Sequence, residues 1–198
     1  MFYAIGLKKA IGFAIGGILI LAVAAAGLGV AYISIRFPLR YLNYIEFYSA
    51  QNNLSVPFVC AVIHAESRFR REVRSHRGAS GLMQITEPTA YWLAELMGLD
   101  NFSYDQILTP ELNIQMGTFY LRRLLDQFGG KQVALAAYNA GSGNVTRWLQ
   151  DSNYSIDGRT LYYIPFGETR TYVQRVARNE RIYTYLLRFH RFLGGIFL

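Results

Sequence analysis

Glu66 lies near the end of a short apolar helical pattern, just before a loop leading into Gly81-Leu82-Met83-Gln84. Ser55 is placed to cap that helix, and Pro57 falls in its first turn, where a missing amide hydrogen does little harm. Val59, Ile63 and Glu66 follow at i, i+4 and i+7, so the carboxyl shares a stripe with two aliphatic side chains. A carboxyl aimed at apolar surroundings loses hydration in its charged form, and its pKa rises. Such an acid can donate a proton near neutral pH. The competing reading is a helix-end glutamate pointing into water, and periodicity alone favours that one. Both stay open on spacing.

The elements around Glu66 read as helices. Pro38 starts one with Tyr41, Ile45 and Tyr48 on a single face, ending near Asn52-Asn53. Arg70 to Ser80 is charged and glycine-containing and reads as a loop. Pro88 to Met97 is a helix stopped by Gly98, and Asn101 to Thr109 is a connection. Asn113 to Phe128 carries a helical stripe ended by Gly129-Gly130. Gly117, inside that stripe, costs about 1 kcal/mol relative to alanine and is tolerable if another backbone passes close by. Short helices follow over Val133 to Asn139 and Asn144 to Leu149. Asp151 to Pro165 is a long polar, tyrosine-rich loop, and Tyr172, Val173, Val176, Tyr183 and Leu187 mark a last helix. Strand-like alternation is almost absent, so the domain is expected to be mostly α.

Upstream, Ala10 to Ile35 is an uncharged run rich in Ile, Leu, Val, Ala and Gly, long enough for one transmembrane helix. A cleaved signal peptide is the rival, with Lys8-Lys9 as its basic start and Ala24-Ala25-Ala26 as its cleavage site. The apolar run continues through Leu28, Val30, Tyr32, Ile33 and Ile35, past those alanines, which favours a retained anchor. Flanking charge leaves its orientation open, because Lys8 and Lys9 face Arg36 and Arg40 across the run. The expected organisation is a short cytoplasmic segment (1–9), an anchor (10–35) and a catalytic domain (36–198).

The 198 residues carry a formal net charge of +7. A modest basic balance without a groove-fitting basic motif suits an anionic polymer or surface rather than nucleic acid. The single cysteine, Cys60, excludes an internal disulfide and a cysteine-rich metal site, and sits among apolar neighbours as core filler. His64-Ala65-Glu66 matches the start of a zinc deaminase pattern but lacks its Pro-Cys-x-x-Cys partner, and His76 and His190 have no metal-ligand spacing. No metal or cofactor is expected. Asn-x-Ser/Thr sequons such as those starting at Asn101, Asn144 and Asn153 are short enough to arise by chance.

Five blocks in order change the weight on Glu66. Ala65-Glu66-Ser67-Arg68-Phe69 resembles the glutamate-serine element of the soluble lytic transglycosylase family, which has a lysozyme-like fold. Gly78-Ala79-Ser80-Gly81-Leu82-Met83-Gln84-Ile85 with Pro88-Thr89-Ala90 is similar to its second block. Asn113-Ile114, Gly117, Tyr120-Leu121 and Phe128-Gly129-Gly130 resemble the third. Ala136-Ala137-Tyr138-Asn139-Ala140-Gly141 with Gly143, Val145 and Trp148 resembles the fourth, and Ile164-Pro165 with Glu168-Thr169-Arg170, Tyr172 and Val173 the last. They span about 54–177. Any one alone is weak; together they are specific.

The resemblance implies cleavage of the β-1,4 bond between N-acetylmuramic acid and N-acetylglucosamine in peptidoglycan glycan strands, leaving 1,6-anhydro ends. Glu66 would be the acid and then the base, with the substrate's own acetamido group stabilising the cationic centre in place of a second carboxylate. Glu72, Glu87 and Glu111 belong to no block and read as solvated. The resemblance places Ser75, Met83, Gln84, Tyr138, Asn139, Glu168 and Tyr172 at the substrate. Ser75 is equally readable as a loop-stabilising hydroxyl. Glu168 is equally readable as a partner of Arg170 or a cap of the last helix. Since peptidoglycan lies outside the cytoplasmic membrane, the implied substrate puts the domain on the wall side, with the N-terminal helix in the membrane. A hydrolysing muramidase and a non-catalytic wall-binding or assembly factor are the alternatives.

Overall fold

A computed structural model describes residues 2–194. The chain divides into two compact units, Met1–Leu39 and Arg40–Leu198. The first is essentially one helix, α1 (Phe2–Arg36). Its stretch Ile15–Arg36 has the length and composition of a membrane span. Ile18, Leu19, Leu28 and Tyr32 are among its outward-facing side chains. The helix begins at Phe2 and so includes residues 2–9; the side chains of Lys8 and Lys9 lie outside the described residues.

The second unit comprises α2 (Leu42–Gln51), α3 (Val56–Glu66), a two-strand hairpin of β1 (Ala79–Ser80) and β2 (Ile85–Thr86), α4 (Glu87–Leu96), a 3-10 turn (Tyr104–Leu108), α5 (Pro110–Phe128), α6 (Lys131–Ala140), α7 (Ser142–Gln150) and α8 (Gly167–Gly194). It is mostly α, as expected. α3 lies at its centre, packed chiefly on α8, with α2 beside it; α5 and α6 pack together and α6 also meets α8. Seven consecutive α3 residues, Phe58 to His64, are buried, so this helix is apolar all round. The stripe read from Val59 and Ile63 is only part of that burial. Cys60 sits within it, and burial pushes its thiol up to about 12, consistent with core packing.

Several boundaries move for identifiable reasons. α2 starts at Leu42 and not at Pro38, because Tyr41 takes a left-handed backbone (φ 59°) that a helix cannot run through. α5 starts three residues before Asn113, with Pro110 in the first turn, where its ring is favourable. The expected 101–109 connection contains the 3-10 turn, capped reciprocally by Ser103 and Gln106. The loop after α3 ends in a hairpin with Ala79 opposite Thr86 and Ser80 opposite Ile85. Two residues per strand are too few to show alternation.

Gly117 is tight, though not against backbone. A Cβ there would collide with the Met83 side chain, Sδ and Cβ included. α5 therefore presents a notch into which Met83 fits. The turn holding Met83 is fastened by Asn113 of α5, which is fully buried. Asn113 Oδ1 accepts from the Met83 amide at 2.7 Å, while its Nδ2 donates to the carbonyls of Ser80 (3.2 Å) and Ile107 (2.9 Å).

Candidate active site

Glu66 is the final residue of α3. The helix ends there because Arg68 and Phe69 both take left-handed φ values, 54° and 63°. Each costs a non-glycine residue roughly 1–2 kcal/mol. Burial of Phe69 against the Tyr183 ring (centroids 5.9 Å apart) holds the second of them. The chain swings away, and the Glu66 side chain is left at the wall of a groove of about 320 Å3.

The groove draws on four parts of the domain. The 70–80 loop supplies Ser75, His76 and Arg77, the hairpin supplies Gln84 and Thr86, α6 supplies Tyr138 and Asn139, and α8 supplies Glu168. Glu66 opens partly onto this space while its carboxyl is shielded from water. That desolvation raises its pKa to about 7. Tyr172 and Arg175 pull the other way and Glu168 adds to the rise. The Tyr172 hydroxyl is close enough to influence Glu66, yet it makes no hydrogen bond of ordinary geometry and is a buried, unpartnered polar atom. Burial also pushes the phenols of Tyr138 and Tyr172 upward, with the Glu66 charge next in importance, so both stay protonated.

The remaining sequence candidates divide into those facing the groove and those supporting it. Ser75 lines the groove, and its Oγ also accepts from the Ala79 amide at 3.0 Å, so it braces its own loop. Gln84 has a left-handed backbone (φ 49°), and its Nε2 is occupied by the carbonyls of Val73 (2.9 Å) and Gly81 (2.8 Å). Tyr138 donates its hydroxyl to the Met83 carbonyl at 2.7 Å. Asn139 Oδ1 accepts from Thr169 at 2.7 Å, which leaves the amide NH2 as its donor. Glu168 pairs with Arg77 at 3.2 Å, and not with Arg170. Arg170 instead donates to the Ile164 carbonyl and lies over the Tyr163 ring.

Met83 is the exception. Its side chain is fully buried beneath the groove, in the Gly117 notch, and does not line it. Its backbone connects Asn113 to Tyr138. Tyr172 likewise is nearly fully buried and meets the site through Glu66. The residue that sequence reasoning missed is Asn113, whose three hydrogen bonds set the hairpin turn. An asparagine at the head of an otherwise apolar helical stripe is the signal that could have found it. Thr169 and Arg77 were missed as well. Glu72, Glu87 and Glu111 are exposed, as read from sequence, although Glu111 accepts from Tyr48 at 3.2 Å. Among the described residues no three His, Cys, Asp or Glu side chains converge to hold a metal ion.

The chemical content is therefore one carboxyl that holds its proton up to about neutrality, in a groove lined by amide and hydroxyl groups, with the other lining carboxylate, Glu168, paired to Arg77 at the exposed rim. Comparison with known proteins agrees with that picture. The model of the Transglycosylase SLT domain family matches residues 43–160. The soluble lytic murein transglycosylase of Escherichia coli K12 is 38% identical over 155 residues, covering 77% of this chain and 24% of that protein. The membrane-bound lytic murein transglycosylase C of Sodalis glossinidius is 27% identical over 168 residues, covering 73% of this chain and 46% of its own length. Among solved structures, an inactive Glu-to-Gln mutant of the lytic transglycosylase Slt from Pseudomonas aeruginosa superposes with a TM-score of 0.69 at 35% identity. That match covers 79% of this chain and 26% of the other. The chain thus spans about a quarter of the soluble relatives it matches. Family match, mostly helical lysozyme-like fold and site geometry coincide: this chain belongs to the transglycosylase SLT domain family.

Proposed function

We propose that the protein is a peptidoglycan lytic transglycosylase that cuts the MurNAc-β-1,4-GlcNAc bond with Glu66 as its single acid and base. The observation that carries this reading is the Glu66 carboxyl, desolvated to a pKa of about 7 and facing the groove. A group with that pKa is protonated often enough to donate and basic enough to take a proton back. Glu66 gives its proton to the glycosidic oxygen as the bond to C1 breaks. The resulting carboxylate removes the proton from the muramoyl C6 hydroxyl, whose oxygen closes onto C1. Glu66 ends protonated, as it began, and no water is consumed.

Glycosidases with two catalytic carboxyls place the second about 5–5.5 Å away when it is a nucleophile, and farther when it activates water. Here the other groove carboxylate, Glu168, is engaged by Arg77, which fits a mechanism that needs one free carboxyl. Tyr172 and Arg175 favour the ionised form of Glu66 and so stabilise it after its first proton transfer. Ser75, Gln84 and the Asn139 amide are assigned to hold the sugar, and Tyr138 to shape the wall. The Pseudomonas relative is described as inactive when one glutamate is glutamine, in keeping with an enzyme that works through a carboxyl.

The N-terminal helix is assigned as a retained membrane anchor with the domain on the wall side. Its apolar stretch is long enough to span a bilayer, and membrane-bound relatives exist. Mass spectrometry of muropeptides released from intact sacculi by the full chain tests the chemistry. Anhydro-muramoyl ends, lighter by one water than reducing ends, are expected. Reducing ends alone would instead establish a muramidase, and a folded chain that binds sacculi but cuts nothing would favour a wall-binding factor.

A further inference from the structure

A second cavity, of about 690 Å3, adjoins the Glu66 groove and takes no part in the chemistry above. The two share a wall at three points. Thr86 of the groove meets Thr89 of the cavity through their hydroxyls at 2.8 Å. The ring of Tyr138 lies 5.2 Å from that of Tyr120, which lines the cavity. Asn139 and Ser142, one on each side, flank the α6–α7 junction. The two are therefore neighbours, parted by a wall one pair of side chains thick, over which a substituent of a polymer in the groove would pass to enter the cavity.

The cavity contains a prepared cation. The Arg123 guanidinium carbon lies 5.5 Å from the Trp92 ring centroid and 5.8 Å from that of Phe119. Trp92 is in turn set edge-on against Tyr120 at 5.9 Å. Aromatic faces favour a guanidinium electrostatically and restrict it to a plane, leaving its edge for a planar anion. Among the described residues no carboxylate pairs with Arg123: Asp126, the acidic residue of this cavity, is bound by Arg122. An oriented cation with no anion of its own, beside a site for a polymer whose muramoyl units carry acidic substituents, lacks only that substituent.

We propose that this cavity receives the acidic substituent of a muramoyl residue on the strand held at Glu66, with Arg123 binding its carboxylate and Trp92 fixing the guanidinium. This rests on the assigned substrate. The carboxylate can belong to a peptide stem or, on a strand stripped of stems, to the lactyl ether itself.

The test is equilibrium binding of defined glycan strands to the full chain in detergent micelles, with Glu66→Gln as the background so that no strand is cut. Three strands are compared: one with stems bearing free carboxylates, the same strand with those carboxylates amidated, and one stripped of stems so that the lactyl carboxylate is free. Adding Arg123→Gln weakens binding of a carboxylate-bearing strand by about tenfold, as loss of a charge-assisted contact would, and leaves the amidated strand unaffected. Arg123→Lys, which keeps the charge and loses the planar fork, recovers part of the loss. Loss on the stem-bearing strand assigns the stem as the source, and loss on the stripped strand assigns the lactyl group. Equal affinities with and without Arg123→Gln, or an equal loss on the amidated strand, overturn the proposal. Wild-type cleavage of the same strands keeps the two readings apart: cleavage with no Arg123 effect removes only this inference, and neither binding nor cleavage removes both.

Discussion

The Tyr138 hydroxyl donates to the Met83 carbonyl at 2.7 Å, joining α6 to the hairpin turn whose amide at Met83 is held by Asn113 of α5. Three segments distant in sequence thus meet at one residue whose side chain never reaches the groove. The relationship makes Tyr138 a positioning residue as much as a lining one, since its hydroxyl is already engaged.

Tyr138→Phe should therefore cost about 1 kcal/mol of stability, the usual worth of one internal hydrogen bond. Urea unfolding checks the energy. If the hydroxyl acts by holding the turn, KM for glycan strands rises more than kcat falls; an effect on kcat alone would assign it to the reaction instead.

Asn113→Ala removes acceptor and donor together and leaves the buried Met83 amide without its partner. The expected loss is about 2–4 kcal/mol, combining an unsatisfied amide with lost packing. Thermal unfolding measures it. A loss below about 0.5 kcal/mol, typical of surface substitutions, would contradict the role given to this residue.

Gly117→Ala should destabilise although alanine is favoured in a helix by about 1 kcal/mol. The added methyl meets Met83, and overpacking of this kind costs about 1–3 kcal/mol. Pairing it with Met83→Ala should return much of the loss, so a double-mutant cycle shows whether the notch and the side chain are coupled. An additive cycle would refute the fit.

Glu66 also makes stability depend on pH. Its folded pKa of about 7 exceeds the unfolded value, so the folded state binds the extra proton between roughly pH 4 and 7 and loses stability as pH rises through that window. Glutamine mimics the protonated form. Glu66→Gln should match wild type near pH 4 and exceed it by about 2 kcal/mol at pH 8, a figure reduced for the partial exposure of the side chain. Chemical denaturation at the two pH values provides the comparison; equal stability at pH 8 would mean that the carboxyl is not desolvated.

How far the chain could be read in advance depended on the kind of signal each part leaves. α5 was legible because Ile114, Leu121 and Leu124 repeat at helical spacing over a long segment. The hairpin was not, because two residues per strand carry no period. Periodicity around Glu66 left its role open, since a glutamate on an apolar stripe at a helix end looks the same whether water or a groove wall follows. The two left-handed residues that turn the chain away, Arg68 and Phe69, have no local sequence signature. The ordered family blocks located the site where spacing could not. They did not separate the groove surface from its support: Met83 stands beside Gln84 in one block, yet one is buried and the other lines the groove. The Arg77–Glu168 pair, 91 residues apart, was equally invisible along the chain.

The most direct measurement is a titration of the Glu66 carboxyl in the full chain, by carbon NMR of selectively labelled glutamate identified through its loss in Glu66→Gln, alongside the rate of strand scission over the same pH range. The carboxyl should titrate near 7, and scission should fall with it as pH rises, because the ionised form has no proton to give to the glycosidic oxygen. A carboxyl already ionised below about pH 5, close to the ordinary glutamate value, with scission undiminished above neutrality, would contradict the assignment of Glu66 as the acid.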